Sequence, residues 1–263
     1  MRWFKITLAY DGRAYCGWQL QDSQPTVQQA IEQGLAEVTG QQVRVTASGR
    51  TDAGVHAAGQ VVSCAIETDL PAGDLGRALH ANTPHDIHVL KAEDAVEDFH
   101  AIRDACWKQY RYLLQDATHH DVQARHYSWQ LHHTLAIDLM QQGAALLMGT
   151  HDFAAFQTSG SPRDDTVRTL SELSVERLQD DSFEKIVIRV SADGFLYNMV
   201  RNLVGSLVEV GRSACTLDWL REALQSRDRR RAGPTAPAHG LTLMKVGYSR
   251  DLPADSPAPE PSD

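Results

Sequence analysis

Ser48-Gly49-Arg50-Thr51-Asp52-Ala53-Gly54-Val55-His56 joins two runs that read as strands, Val43 to Ala47 and Gln60 to Ile66. Gly49 and Gly54 bracket a cation, Arg50, and an anion, Asp52, two residues apart. Glycines so placed mark a tight loop in which backbone turns or comes close to something. Both charges can then point into one cleft. Taken alone, such a pair reads first as a surface turn with a local ion pair, because short motifs match by chance. The surrounding chain decides the matter.

Upstream, Phe4, Ile6, Leu8 and Tyr10 alternate with Lys5, Thr7 and Ala9, the pattern of a strand with one buried face, and Asp11-Gly12 breaks it. Thr26 to Gly40 reads as a helix: Thr26 and Gln29 fit a capping box, Val27, Ile31, Leu35 and Val38 form one stripe, and Gly40 closes the end. Downstream, Val61 to Glu67 is a strand, Asp74 to Ala81 a short helix and Ile87 to Ala92 a further strand. The order strand, helix, strand, strand, helix, strand then recurs. Its second copy comprises strand Trp107 to Leu114, a helix capped by Thr134 and running to Met148, and strands Thr169 to Leu178 and Lys185 to Ser191 around a turn at 179–182. Helix Phe195 to Val210 ends at Gly211, helix Leu217 to Gln225 follows, and Leu241 to Gly247 is the last strand. The fold class expected is α+β: two tandem ferredoxin-like (split β-α-β) halves whose sheets join into one mixed sheet around a central catalytic cleft. The division expected is 1–105 for the N-terminal half with the Asp52 loop, 106–250 for the C-terminal half, and 251–263 for a disordered, acidic, proline-rich tail. Ala117 to Arg125 and Thr158 to Arg168 read as linkers.

Composition bounds the function. A chain of 263 residues with 42% apolar and 22% charged content is an ordinary globular one. A formal net charge of −9 argues against a basic surface all round, so any nucleic acid must sit in a local groove. Four scattered cysteines without a C-x-x-C pair suit a reducing, cytoplasmic location. The histidines fall at no familiar metal-ligand spacing, and no signal or membrane anchor is visible, so neither metal nor membrane is expected.

Two further patterns carry chemistry. Arg201 is the single charge in an apolar helical run from Phe195 to Val208. A helix apolar nearly all round is buried, and a buried guanidinium needs an anion. Asp52 is the attractive candidate; the alternative is that Arg201 reaches out to solvent. Lys108-x-Tyr110-x-Tyr112 alternates along a strand, which puts both tyrosines on one face and Arg111 on the other. Aromatics on a sheet face can stack bases, although such tyrosines are commonly core residues with a hydrogen-bonded tip.

At this point the chain resembles a known family, tRNA pseudouridine synthase A. Gly49 to His56 is similar to its signature loop. Tyr10-Asp11-Gly12, Tyr15-x-Gly17-Trp18-Gln19-x-Gln21 and Thr26-Val27-Gln28 are similar to its opening. Phe99-His100-Ala101, Lys108-x-Tyr110-x-Tyr112, Asp152-Phe153 and Arg168-Thr169 match the middle. Gly194-Phe195-Leu196-Tyr197-Asn198-Met199-Val200-Arg201 and Pro237-Ala238-x-Gly240-Leu241 match the end. One departure is Ile102, where the family usually has Arg after Phe-His-Ala; Arg103 follows one place later.

The resemblance implies an isomerase that converts uridine to pseudouridine at positions 38 to 40 of the tRNA anticodon stem-loop. It implies no cofactor and no metal, and a homodimer with one tRNA spanning both subunits. Residue by residue, it makes Asp52 the catalytic carboxylate, acting at the base, C1′ or C2′. Arg201 holds Asp52 ionised and so lowers its pKa. Arg50 occupies the space of the flipped nucleotide or steadies the extruded one. Tyr110 stacks on the uracil, and its hydroxyl is a candidate acceptor for the C5 proton. The reading of another class is a non-catalytic tandem RNA-binding module; a lone carboxylate opposite a buried arginine argues against it, since Asp52 would repel phosphate. An aspartate-nucleophile hydrolase is a further alternative, for which no D-x-D or ligand set is present.

Overall fold

The computed structural model describes residues 1–116, 120–158, 165–180 and 183–248, so the tail expected at 251–263 and parts of both expected linkers lie outside the described residues. In chain order the elements are β1 (Arg2–Tyr10), α1 (Val27–Thr39), β2 (Thr46–Ala47), β3 (His56–Ile66), α2 (Ala72–Ala81), β4 (Ile87–Ala95) and β5 (Trp107–Gln115). There follow β6 (Trp129–Gln130), α3 (Ile137–Leu147), β7 (Gly149–Asp152), β8 (Val167–Asp180), β9 (Phe183–Ala192), α4 (Met199–Gly211), α5 (Leu217–Ser226) and β10 (Leu241–Gly247).

All strands belong to one sheet in the order β4-β1-β3-β10-β5-β9-β8-β7, with β2 beside β3 and β6 beside β5. Each half repeats the order fourth, first, third, second: β4-β1-β3-β2, then β10-β5-β9-β8. This is the duplicated ferredoxin-like plan expected. The halves join where β10 runs parallel to the start of β3, Thr242 opposite His56 and Leu243 opposite Ala57. Gly59 permits the approach, because a Cβ there would lie 2.4 Å from the Met244 carbonyl oxygen.

That junction explains why the strand expected over Val43 to Ala47 shrinks to Thr46–Ala47. β2 pairs only with Val62 and Ser63 on β3, and β10 takes the stretch of that edge nearer the loop. Val43 and Val45 are still buried. The Val45 amide donates to Glu32 Oε1 at 3.1 Å and its carbonyl accepts from Gln28 Nε2 at 3.4 Å, so side chains of α1 satisfy the backbone that a ladder would have used.

α1 forms as its pattern predicts, with Thr26 Oγ1 accepting from the Gln29 amide and Gly40 left-handed at φ 69°. α3 begins at Ile137, with Ala136 rather than Thr134 at its N-cap position. α4 begins at Met199, four residues later than expected, because Asn198 stands at its N-cap in the left-handed region (φ 59°) and turns the chain. Every residue of α4 except Arg201 and Glu209 is buried. Its outer side is covered by the segment 228–237, hereafter the strap. A Cβ on Gly205 would fall 1.7 Å from the Pro234 carbonyl oxygen, so only glycine admits that contact. Among the described residues no helix is long and apolar enough to cross a membrane.

Candidate active site

The loop from Ser48 to Val55 is held by the chain's opening residues. Tyr10 on β1 hydrogen-bonds Thr51 Oγ1 at 2.8 Å, and the Trp18 amide donates to the Thr51 carbonyl at 2.9 Å. Gln60 Nε2 donates to the Gly49 carbonyl while its Oε1 accepts from Ser48 Oγ at 2.7 Å. Gly54 takes φ 78°, the conformation that favours glycine. A Cβ on Gly12 would lie 2.0 Å from the Val55 carbonyl oxygen, and one on Gly17 2.7 Å from that of Thr51. The glycines of the opening motifs are therefore the floor on which the loop rests. His56 closes it from below: its Nδ1 lies 3.2 Å from both the Gly12 amide and Asp11 Oδ1, and Tyr127 packs on its ring at 4.8 Å. Burial lowers the His56 pKa, which suits a neutral ring accepting from Gly12.

So held, Asp52 is half-buried and faces the first turn of α4. Arg201 Nη1 donates to Asp52 Oδ2 at 3.3 Å, the pairing expected. Oδ1 has no hydrogen-bond partner among the described residues. The expectation that pairing with Arg201 leaves Asp52 with a lowered pKa is overturned, although Arg201 does pull it down. Burial raises it, and the attraction of Arg201, through one long contact, offsets only part of that rise. The guanidinium is divided three ways, since its Nε donates to the Ala236 carbonyl at 2.7 Å and Nη1 also to Asn198 Oδ1 at 2.8 Å.

Tyr110 stands on β5 opposite Leu243 of β10 and Val190 of β9, buried, with the Phe195 ring perpendicular to its own and the ring centres 5.0 Å apart. Burial is the main cause of a raised pKa, with the charges of Tyr10 and Asp52 adding to it, so its hydroxyl stays neutral. Tyr112 shares that face and reaches the Pro237 carbonyl at 2.7 Å, the hydrogen-bonded core tyrosine of the plainer reading. Arg50 is exposed at the rim, with no ion-pair partner among the described residues. The structure thus brings Asp52, Arg201 and Tyr110 together and leaves Arg50 beside them facing outward. Ile102 is half exposed, and Arg103 is taken up by Asp98 and Asp104. Asn198 was missed; its signal is a short polar side chain at the start of an otherwise apolar helix. Among the described residues no group of three or more histidine, cysteine or acidic side chains could hold a metal ion. A surface pocket lined by His151, Asp152 and Arg227 shares no residue with this site.

A family model described as tRNA pseudouridine synthase matches residues 6–102 and 144–249, which include Asp52 and Arg201, and the chain belongs to that family. It is 41% identical to tRNA pseudouridine synthase A of Acetivibrio thermocellus over 248 residues, 94% of this chain and 100% of the relative. The figures are 44% over 246 residues for the Moorella thermoacetica enzyme (93% and 98%) and 39% over 253 residues for that of Myxococcus xanthus (96% and 94%). A solved chain in a Cbf5-Nop10-Gar1 complex overlays with TM-score 0.35 and 10% identity, across 93% of this chain and 59% of that one. The protein is accordingly a tRNA-modifying isomerase that forms pseudouridine, which sets aside the reading as a non-catalytic RNA-binding module.

Proposed function

We propose that the protein isomerises uridines at positions 38 to 40 of the tRNA anticodon stem-loop, with Asp52 as the catalytic carboxylate. One observation carries the assignment: a half-buried carboxylate has one oxygen on Arg201 and the other without a partner among the described residues. In the overall reaction the C1′–N1 bond breaks, the uracil turns, and a C1′–C5 bond forms. C5 then loses its proton and N1 carries one, so nothing is oxidised and no phosphoryl group moves. A carboxylate suffices, because a covalent adduct divides one difficult step into easier ones. Its nucleophilic form is the anion. Burial makes that anion less stable than in water and hence more reactive, while Arg201 favours it against the neutral acid.

Tyr110, on β5 within reach of the Asp52 charge, stacks on the extruded uracil. Its neutral hydroxyl can relay the C5 proton but does not act as a standing phenolate base. Arg50, exposed and without an ion-pair partner among the described residues, takes the position vacated by the extruded nucleotide or its phosphate. The two units divide as 1–105 and 106–250. The enzyme works as a cytoplasmic homodimer.

The test is nucleotide analysis of tRNA incubated with the purified protein. Pseudouridine should form at positions 38 to 40 with the parent and be absent with Asp52→Asn, which should still bind tRNA. Turnover by Asp52→Asn within about tenfold of the parent, about 1.4 kcal/mol of barrier, removes the assignment.

A further inference from the structure

The strap carries three consecutive arginines that behave differently. Arg230 pairs with Asp228 and Arg231 with Glu222 on the surface. Arg229 turns inward, is half-buried, and meets no carboxylate among the described residues. Four neutral oxygens hold it: the carbonyls of Gly233 (2.8 Å) and Ala232 (3.4 Å), Thr235 Oγ1 (3.0 Å) and Asn202 Oδ1 (2.9 Å). A cation bound only by dipoles sets the direction of each dipole, because a guanidinium can donate and never accept.

That constraint can be followed to the reaction centre. Since Arg229 only donates, the Asn202 atom facing it is the carbonyl oxygen, which Thr235 Oγ1 also reaches at 2.7 Å. The Asn202 amide nitrogen is thereby turned toward the Phe156 carbonyl at 2.7 Å and Thr158 Oγ1 at 3.3 Å. Thr158 Oγ1 accepts a second bond, from Asn198 Nδ2 at 3.1 Å, so Asn198 presents its oxygen to Arg201 Nη1. The other arm is the strap itself. Gly233 donates to Ser206 Oγ at 2.8 Å, and Ala236, which takes Arg201 Nε on its carbonyl, returns its own amide to the Arg201 carbonyl at 3.1 Å. Both arms begin at Arg229 and end on the guanidinium that faces Asp52.

We propose that Arg229 is a positioning residue for pseudouridine formation: through the strap and the Asn202-Thr158-Asn198 chain it aims Arg201 at Asp52. This rests on the reading of Asp52 as the catalytic carboxylate. Arg201 has only one long contact to Asp52 and two shorter ones elsewhere, so its aim is set by those other partners. Among the described residues, the titratable groups facing Asp52 are Arg201 from α4 and Tyr110 from β5, with Tyr10 of β1 beyond and Lys108 of β5 against Gly49 of the same loop; burial keeps both tyrosines neutral, that of Tyr10 with a pKa pushed up to about 12. Asp52 is the acid among them, so the proposal assigns the acid limb of the rate profile to it.

The experiment is steady-state kinetics of pseudouridine formation across pH for Arg229→Met, Arg201→Met and the double variant. Arg229→Met should lower kcat about tenfold with KM for tRNA held within about twofold, and should move the acid limb to higher pH. In the Arg201→Met background it should add almost nothing, since both changes break one line of action. Additive losses, a change confined to KM, or an unmoved limb would each overturn the proposal and make Arg229 an RNA contact or a fold residue. Thr158→Val, nearly isosteric, cuts the chain without removing a charge and should shift kcat and the limb the same way by less. If Arg229→Met does not fold, an unchanged Thr158→Val overturns the proposal by itself. An active Asp52→Asn removes the underlying assignment whatever Arg229 does. An inactive Asp52→Asn beside a parental Arg229→Met removes this inference alone.

Discussion

Two aspartate–arginine pairs in this molecule are built in opposite ways. Asp116, just after β5, is almost wholly buried, and Arg177 of β8 grips both its oxygens at 2.7 Å. The Leu135 amide adds a third bond at 2.7 Å and ties the approach to α3 to the same carboxylate. Burial alone would raise the Asp116 pKa, but these donors outweigh it and the net direction is down. Asp52 is less buried, receives one contact at 3.3 Å, and its pKa goes up. A saturated carboxylate is structural; an incompletely satisfied one keeps lone pairs and basicity for a substrate. The number of donors set against burial separates the two.

The largest effect that can break this contrast is on turnover. Asp52→Asn should lose at least about a thousandfold in kcat, about 4 kcal/mol of barrier, while its unfolding midpoint in urea stays near the parent's. Asp116→Asn should do the reverse. Leaving Arg177 with Glu184 as its one anionic partner among the described residues should lower stability by about 2 kcal/mol in urea denaturation, with kcat per folded molecule retained. If Asp116→Asn instead keeps its stability and loses turnover, the division between the pairs is wrong.

Arg201→Met sharpens the contrast at intermediate size. Removing the cation that offsets burial should raise the Asp52 pKa further and move the acid limb of kcat to higher pH, with kcat down about tenfold to a hundredfold. A limb that stays in place separates Arg201 from Asp52. Tyr110→Phe keeps the ring and removes the hydroxyl, so tRNA affinity in filter binding should persist while tritium release from C5-labelled uridine slows; release at the parental rate limits Tyr110 to stacking. The smallest effect is on stability against pH, and the two pairs should differ in sign. Asp116 has a lowered folded pKa, so its contribution is complete above the ordinary aspartate value and is lost as pH falls through the folded one. Asp52 has a raised folded pKa, so between the ordinary and folded values the native state holds the extra proton and stability falls as pH rises. Comparing each Asn variant with the parent across acidic pH by urea denaturation resolves both slopes.

Much of this was legible in the sequence because it depends on local pattern. The alternation of Phe4, Ile6 and Leu8, the stripe and caps of α1, and the run from Leu241 to Gly247 each specify an element within one window. The meeting of Asp52 with Arg201 was also legible, since a lone charge in an apolar helix must find an anion. What was not legible depends on partners remote in sequence. Val43 to Ala47 has strand composition, but β10 takes part of the edge it would need and α1 side chains satisfy its backbone. Phe195 to Tyr197 has helix composition, but Asn198 turns left-handed and frees Phe195 to pack on Tyr110. The sign of the Asp52 shift is a contest between burial and one long ion pair, and neither magnitude is written in a motif.

The short parallel splice between β10 and β3 also bears on how the chain acquires activity. Hairpin contacts such as β8 with β9 close small loops and can form early, whereas Thr242 opposite His56 closes a loop spanning most of the described chain. His56 ends the Asp52 loop, and the strap that holds Arg201 leads through the turn Ala238–Gly240 into β10. Docking of this last strand should therefore be the step that completes the pairing of carboxylate and guanidinium. On refolding from urea, far-ultraviolet circular dichroism should recover in a fast phase and pseudouridine-forming activity in a slower one. A variant such as Gly59→Val, which obstructs the splice, should lengthen the lag between the two.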